Sequence, residues 1–94
     1  MTLNSDAAET LALQALAWLV GNDDLLPVFM GATGVSVDDI KQNATDPEVL
    51  GSVLDFLLMD DAWIVACCAA LNLPYEQLRQ ARAALPGGQQ VNWT

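Results

Sequence analysis

Two adjacent cysteines and several adjacent aspartates are the residues of this sequence whose types could do chemistry. Cys67 and Cys68 stand side by side in "AWIVACCAAL", and Asp-Asp pairs occur at 23–24, 38–39 and 60–61. A zinc or thiol-exchange site needs CxxC spacing or nearby histidines, and the chain contains no histidine. Neighbouring carboxylates on a helix point in different directions, so they do not make an acid/base dyad, and no EF-hand spacing is present. We therefore expect no metal, no cofactor and no enzymatic activity.

The phosphate-binding and nucleic-acid-binding classes are also disfavoured. The glycine-containing stretches "GATG" and "PGG" lack the lysine and the spacing of a phosphate loop. Three basic residues stand against twelve acidic ones, which gives a formal net charge of −9. Such a surface repels phosphate backbones, whose binding depends on Lys and Arg. A protein partner fits the charge better, although acidity also keeps a small apolar protein in solution.

Length and composition predict one folded domain over residues 1–94. The chain is 53% hydrophobic and 16% charged, which is too apolar for a disordered segment. Its longest apolar run, 62–71, is much shorter than the roughly 20 residues that span a bilayer. The first basic residue is Lys41, so the amino terminus lacks the positive region of a secretory signal. We expect a cytoplasmic protein without a membrane segment, in which both thiols are reduced.

Helical spacing of apolar residues runs through the chain, and no segment alternates as a strand would. This pattern predicts an all-α fold, a compact bundle of five or six helices. The expected helices, in chain order, run from Ser5 or Asp6 to Gly21; from "NDD" at 22–24 to Gly34, with Pro27 in the first turn; over "SVDDIKQNA", capped by Ser36 with Asp39 completing a capping box; over "TDPEVLGSVLDFLLM", capped by Asp46; over "DDAWIVACCAAL", closed by Asn72; and over "PYEQLRQARAAL", beginning at Pro74.

Most of the acidic residues fall where these helices are expected to begin. A negative charge there meets the positive end of the helix dipole and the free N–H groups. Eleven acids are predicted to lie at caps or in first turns: Asp6, Glu9, Asp23, Asp24, Asp38, Asp39, Asp46, Glu48, Asp60, Asp61 and Glu76. The acidity is therefore interpreted as structural.

Asp55 is the exception, because it lies in the middle of a very apolar helix in "VLDFLL". A carboxylate there must reach solvent along the helix edge or be buried with a partner. Arg79 and Arg82 are the expected partners, and Lys41 is a third candidate. A structural ion pair or a hydrogen bond to a neighbouring loop is favoured over a binding role, so Asp55→Ala is expected to destabilise the fold.

Residues 15–42 align with residues 53–80 at a shift of 38. The alignment pairs Leu16 with Leu54, Trp18 with Phe56, Leu19 with Leu57, Asp23 with Asp61, Gly34 with Asn72, and Ile40 with Leu78. Matches at caps and core positions together predict two pseudo-symmetric three-helix repeats that share one core, followed by a tail at 86–94. Cys67 and Cys68 take the places of Phe29 and Met30, so we interpret them as core residues.

Several blocks together resemble a known family: "LALQALAWLVGNDDLLPVFMGATG", "DPEVLGSVLDFLLMDDAWIVACCAALNLP", "ARAALPGG" and the terminal "WT". The chain is similar over nearly its whole length to small, mostly alphaproteobacterial, all-helical proteins classed as a domain of unknown function. The resemblance implies a cytoplasmic, all-helical, bacterial protein. It supplies no activity, no ligand and no catalytic residue. Pro27 and the cysteine pair depart from the pattern expected in the family.

The function expected from the sequence is a non-enzymatic protein-protein interaction or regulatory adaptor module. The partner would be another protein or a second copy of the chain, with no nucleic acid, membrane or metal involved. Candidate interaction residues are Val37, Asp55, Tyr75 and Trp93. Two alternatives stay open, namely a structural homodimer and a binder of small apolar ligands. The ligand binder would use a cavity between the repeats, lined by Phe29, Met30, Met59 and the two cysteines.

Overall fold

Six helices make up the part of the chain that the computed structural model describes, residues 4–85, and no strand occurs among these residues. The helices are α1 (Ser5–Val20), α2 (Leu26–Thr33), α3 (Val37–Gln42), α4 (Pro47–Leu58), α5 (Asp61–Leu71) and α6 (Gln77–Ala84). The predicted all-α bundle is confirmed. Within the same residues, no helix has the length and apolar character that crossing a membrane requires.

The helix starts follow the capping signals of the sequence. The side chain of Asn4 accepts a hydrogen bond of 2.7 Å from the Ala7 N–H at the start of α1. Ser36 and Asp39 form the expected capping box at α3, with two reciprocal bonds of 3.0 Å. Asp46 and Asp60 each accept a backbone N–H two residues ahead, at 2.9 Å. These bonds satisfy N–H groups that have no partner inside the helix.

Three of the acids predicted to lie at caps or in first turns do not lie there. Helix α2 begins at Leu26, and the amides before it are taken by the Asn22 side chain, which accepts from Asp24 and Leu25 at 3.1 Å. Asp23 and Asp24 therefore lie in the preceding turn, outside the helix. Glu9 falls beyond the first turn of α1. Glu76 does occupy the N-cap position of α6, as predicted, although its side chain makes no cap bond. An amide side chain replaces the expected carboxylates at α2.

Helix α6 begins three residues later than predicted, at Gln77 rather than Pro74. The preceding helix ends with Asn72 in the left-handed conformation (φ 60°), and the Leu73 N–H donates back to the Cys68 carbonyl at 2.9 Å. This Schellman-type ending turns the chain sharply. Pro74 is then used in a separate turn, in which its carbonyl accepts from the Gln77 N–H at 3.1 Å.

Helices α1 and α4 form the centre of the bundle. They pack against each other, and both pack against α5 and α6, while α2 packs against α4. The core consists of residues contributed by every helix except α3: Ala8, Leu11, Ala12, Ala15, Leu16, Leu19, Phe29, Leu50, Val53, Leu54, Phe56, Leu57, Ile64, Cys67, Cys68, Leu78 and Ala81, with Leu85 after α6. Helix α3 has no buried residue, although Ile40 is partly buried against the core.

The register of the two predicted repeats is kept at the helix ends. Val20 and Leu58 end α1 and α4, and Thr33 and Leu71 end α2 and α5, each pair 38 positions apart. The caps Gly34 and Asn72 are both left-handed. Packing is unequal, however, since α6 is part of the core and its counterpart α3 is not. That the halves are equivalent folded units stays a prediction.

Candidate functional site

Helix α5 has the most unusual composition of the six helices. Asp60 caps it, Asp61 lies in its first turn, and no polar side chain other than the two cysteines follows before Asn72. A helix that is apolar on all sides normally lies inside a protein. This one lies on the surface of a small bundle, so only part of its circumference is covered.

The inner face of α5 packs into the core. Ile64 and Cys67 are almost completely covered, and Trp63 and Leu71 are partly covered. Both cysteines are free, and the Cys68 sulfur lies 3.8 Å from the Pro74 carbonyl oxygen. Removal from water raises the pKa of the Cys67 thiol to about 12, with a smaller contribution from Cys68. The thiols are therefore protonated and packed as small hydrophobic groups, as predicted.

The outer face of α5 is exposed and apolar along the whole helix. We call this face the α5 surface, and it consists of Ala62, Val65, Ala66, Ala69 and Ala70. The five residues follow the spacing of one helix side. Val65 is 53% exposed, although its side chain is as apolar as those of the core. The α5 surface therefore offers water an apolar strip three turns long.

Tyr75 lies at one edge of the α5 surface. The pKa of its hydroxyl is raised by loss of water contact, by the negative charge of Asp61 and by a hydrogen bond with that carboxylate, while Arg79 acts in the opposite direction. The Tyr75 carbonyl oxygen lies 4.0 Å from the Cys68 sulfur, so Tyr75 lies alongside α5. Met59, 70% exposed, lies in the turn that leads into α5. Met59 thus adds exposed apolar area just before the amino-terminal end of α5.

Helix α2 has a similar exposed side. Pro27, Val28, Gly31 and Ala32 are exposed there, and they align at the shift of 38 with Val65, Ala66, Ala69 and Ala70 of the α5 surface. The exposed side of α2 is also uncharged.

Three aromatic rings connect α2 and α5 through α4. Phe56 packs edge-on against Phe29 at 5.3 Å between ring centroids, and it stacks on Trp63 at 4.5 Å. Since Phe56 is buried, this contact fixes both outer helices to the end of α4.

An open cleft of about 310 Å³ lies between α3 and the start of α4. It is lined by Val35, Asp39, Asn43, Asp46, Glu48, Val49 and Ser52. Two of its carboxylates are engaged in capping, and the backbone and side-chain hydrogen bonds from Ser36 lower the pKa of Asp39. Within residues 4–85, no three His, Cys, Asp or Glu side chains are grouped so that they could hold a metal ion. The cleft is thus a by-product of two neighbouring caps.

Of the three cations expected as partners of Asp55, Arg82 is the one that contacts it. The Arg82 Nε lies 2.6 Å from one Asp55 carboxylate oxygen, and its Nη2 lies 3.0 Å from the other. Gly51, one turn before Asp55, leaves room for the guanidinium, because a Cβ there would lie 3.2 Å from Nη1. Asp55 reaches solvent, with 57% of its side chain exposed, while Arg82 is 18% exposed. The pair joins α4 to α6, which supports the structural interpretation of Asp55.

The other predicted interaction residues lie on separate elements. Val37, 45% exposed, begins α3, and Tyr75, 43% exposed, lies in the turn before α6. Trp93 lies outside the described residues. Met59 is too exposed to line an interior cavity, so that part of the ligand-binding alternative is wrong. The sequence reasoning missed the α5 surface, although the absence of charge between Asp61 and Asn72 could have indicated it.

Comparison with known proteins gives one match. A family model described as "Protein of unknown function (DUF3572)" matches residues 5–88. No curated protein and no solved structure is significantly similar to the chain. The resemblance to a small family of unknown function is confirmed, whereas the alphaproteobacterial origin stays a prediction.

Proposed function

Since the chain belongs to the DUF3572 family, whose description assigns no activity, we propose from its surface that it is a non-enzymatic protein-interaction module. Its contact surface is the α5 surface. The observation that carries this proposal is that α5, apolar on every side, leaves one side open to water.

The composition of two other helices supports this assignment, although the exposed side of α2 is uncharged like that of α5. Beyond its first turn α1 exposes Gln14, and α6 exposes Arg79, so both have polar groups on their exposed sides as surface helices normally do. The α5 surface has none. Burying the α5 surface against a partner would remove apolar area from water, which stabilises a complex by roughly 25 cal/mol per Å². Continuous apolar surface is one feature of protein-binding sites, whereas single exposed apolar residues occur on most protein surfaces.

The absence of an enzymatic role is part of the proposal. The sequence contains no histidine, and burial keeps the Cys67 thiol protonated at neutral pH. The cleft beside α3 has carboxylates that already bind backbone N–H groups. A regulatory adaptor, which acts by binding alone, requires none of these groups to react.

Affinity purification with matched variants tests the proposal. The tagged chain is expressed in cells of its source in three forms: wild type, Ala66→Lys on the α5 surface, and Ala17→Lys on α1. Both alanines are exposed and lie within helices, so the two variants differ in place rather than in chemistry. We expect wild type and Ala17→Lys to recover the same partner in stoichiometric amount, and Ala66→Lys to lose most of it.

A thermal melt of each variant serves as the control, because exposed substitutions change stability by about 0.5 kcal/mol or less. Equal recovery of the partner by all three forms would contradict the assignment to the α5 surface. Recovery of no partner by any form would contradict the interaction role itself.

A further inference from the structure

We propose that the α5 surface receives a basic amphipathic helix of another protein. The inference rests on the proposed function and adds the chemistry of the partner. It is drawn from the shape of the α5 surface, from the charges around it and from its size.

The shape of the α5 surface suits a helix lying along it. Helix α5 has 11 residues and is therefore about 16 Å long, which equals three turns of a partner helix. Four of the five residues of the α5 surface are alanines. Such small side chains allow two helix axes to approach to about 8 Å. A partner helix with apolar residues at positions i, i+3 or i+4, and i+7 would match this strip.

The charges around the α5 surface favour a basic partner. The strip itself is uncharged, but exposed Asp60 and Asp61 stand at its start, and exposed Glu76 follows Tyr75 at its edge. Arg79 is a nearby cation that partly offsets this negative charge at Tyr75. With a net charge of −9, the whole chain attracts cationic groups during approach. Lys or Arg beside the apolar side of a partner helix would meet this acidic border.

The same charge disfavours two other occupants. Two copies of the chain, each at −9, repel each other, and anionic bilayer surfaces repel the chain for the same reason. The projected area of the α5 surface, its length times a helix width of about 10 Å, is on the order of 160 Å². A stable subunit interface needs about 800 Å² from each partner. The strip by itself is therefore too small for a stable subunit interface, and a contact confined to it would be transient.

Site-specific photocrosslinking in source cells tests the inference. Benzoylphenylalanine replaces Ala66 in the full chain, and the control chain has it at Ala17, which is equally outside the core. The crosslinked peptide is identified by mass spectrometry. We expect a crosslink from position 66, absent from position 17, to a segment of another protein that combines an apolar helical side with an excess of Lys and Arg.

A second pair of variants tests the charge. Asp61→Asn removes one exposed carboxylate from the first turn of α5, and Asp38→Asn removes one from the first turn of α3. The two variants therefore change the net charge and the interaction with a helix dipole by the same amount. We expect Asp61→Asn to lower the crosslink yield about two- to fivefold, the range that exposed ion pairs support, and Asp38→Asn to leave it unchanged.

The other outcomes separate this inference from the proposed function. A crosslink to a second copy of the chain, to lipid, or to an acidic or non-helical segment would overturn the basic-helix inference. Except for the lipid case, each would leave α5 as a protein-binding surface. Equal effects of the two Asp→Asn variants would also overturn the inference. No crosslink above the position-17 control, from a chain that melts as wild type does, would overturn both.

Discussion

The ion pair between Asp55 and Arg82 gives the most direct test of how the bundle is held together. Two hydrogen bonds join the groups, at 2.6 and 3.0 Å, and link α4 to α6. The proposed change is a double-mutant cycle with Asp55→Asn, Arg82→Gln and both together. Asn and Gln keep the approximate shape of the side chains and remove their charges, so the cycle isolates the pairwise interaction.

The magnitude follows from the exposure of the two side chains. Exposed ion pairs contribute about 0.2–1 kcal/mol, and the bidentate arrangement places this pair at the upper end. Asp55 is 57% exposed, which limits the gain, whereas Arg82 at 18% is largely removed from water and would lose its counter-charge. We expect a coupling free energy of about 1 kcal/mol. For a domain of this size, Asp55→Asn should lower the melting temperature by about 4–8 °C.

The assay is urea unfolding followed by circular dichroism, at low salt and again at 1 M NaCl. The coupling should shrink at high salt, because the screening length falls to about 3 Å. A control cycle pairs Arg82→Gln with Asp38→Asn on α3, whose carboxylate has no bond to Arg82 among the described contacts, and it should be additive. Coupling below about 0.2 kcal/mol would refute the reasoning, as would an unchanged melting temperature in Asp55→Ala.

Three further predictions concern single residues. Gly51→Ala should gain about 1 kcal/mol of helix propensity, but the added Cβ should push the Arg82 guanidinium out of its place. The substitution should therefore stabilise the Arg82→Gln variant more than it stabilises wild type, as measured by urea unfolding. Both thiols should react with a disulfide reagent at pH 8 only after unfolding, since the pKa of Cys67 is raised to about 12; rapid reaction of the folded chain would contradict its burial.

The third concerns pH. Asp39 should titrate below its usual pKa of 3.8, since the Ser36 backbone and side chain both hydrogen-bond its carboxylate, and Ser36→Ala should raise the midpoint only partway because the backbone bond remains. A lowered folded-state pKa stabilises α3 above pH 3.8, and that contribution is lost as the pH falls through the folded midpoint. Carboxyl chemical shifts and α3 amide protection between pH 5 and 2 check both statements, and a midpoint at or above 3.8 would contradict them.

The helix starts were predictable because their signals are local. The Ser36–Asp39 capping box, Asp46 before Pro47, and Asp60 before α5 each act within three residues, and all three are formed. The start of α6 was not predictable in the same way. The position of this start depends on how the turn at Asn72 directs the chain back to the core. Pro74 by itself is compatible with the first position of a helix and with a separate turn before it.

Asp55 shows how far single-residue reasoning reaches. A carboxylate within "VLDFLL" predicts a cationic partner, because an isolated charge is disfavoured beside so many apolar groups. Two arginines three residues apart on one helix were equal candidates in the sequence. The packing of α6 across α4 selected Arg82, and Gly51 provided the space for it.

The sequence by itself determined the six helices, the caps of α3, α4 and α5, and the apolar residues available to the core, because these depend on neighbours along the chain. Only the tertiary structure decided which side of α5 is covered. The sequence of a helix without polar groups on any side does not indicate which side faces the core. The exposure of Val65 and the four alanines therefore depends on how α5 packs on α1 and α4.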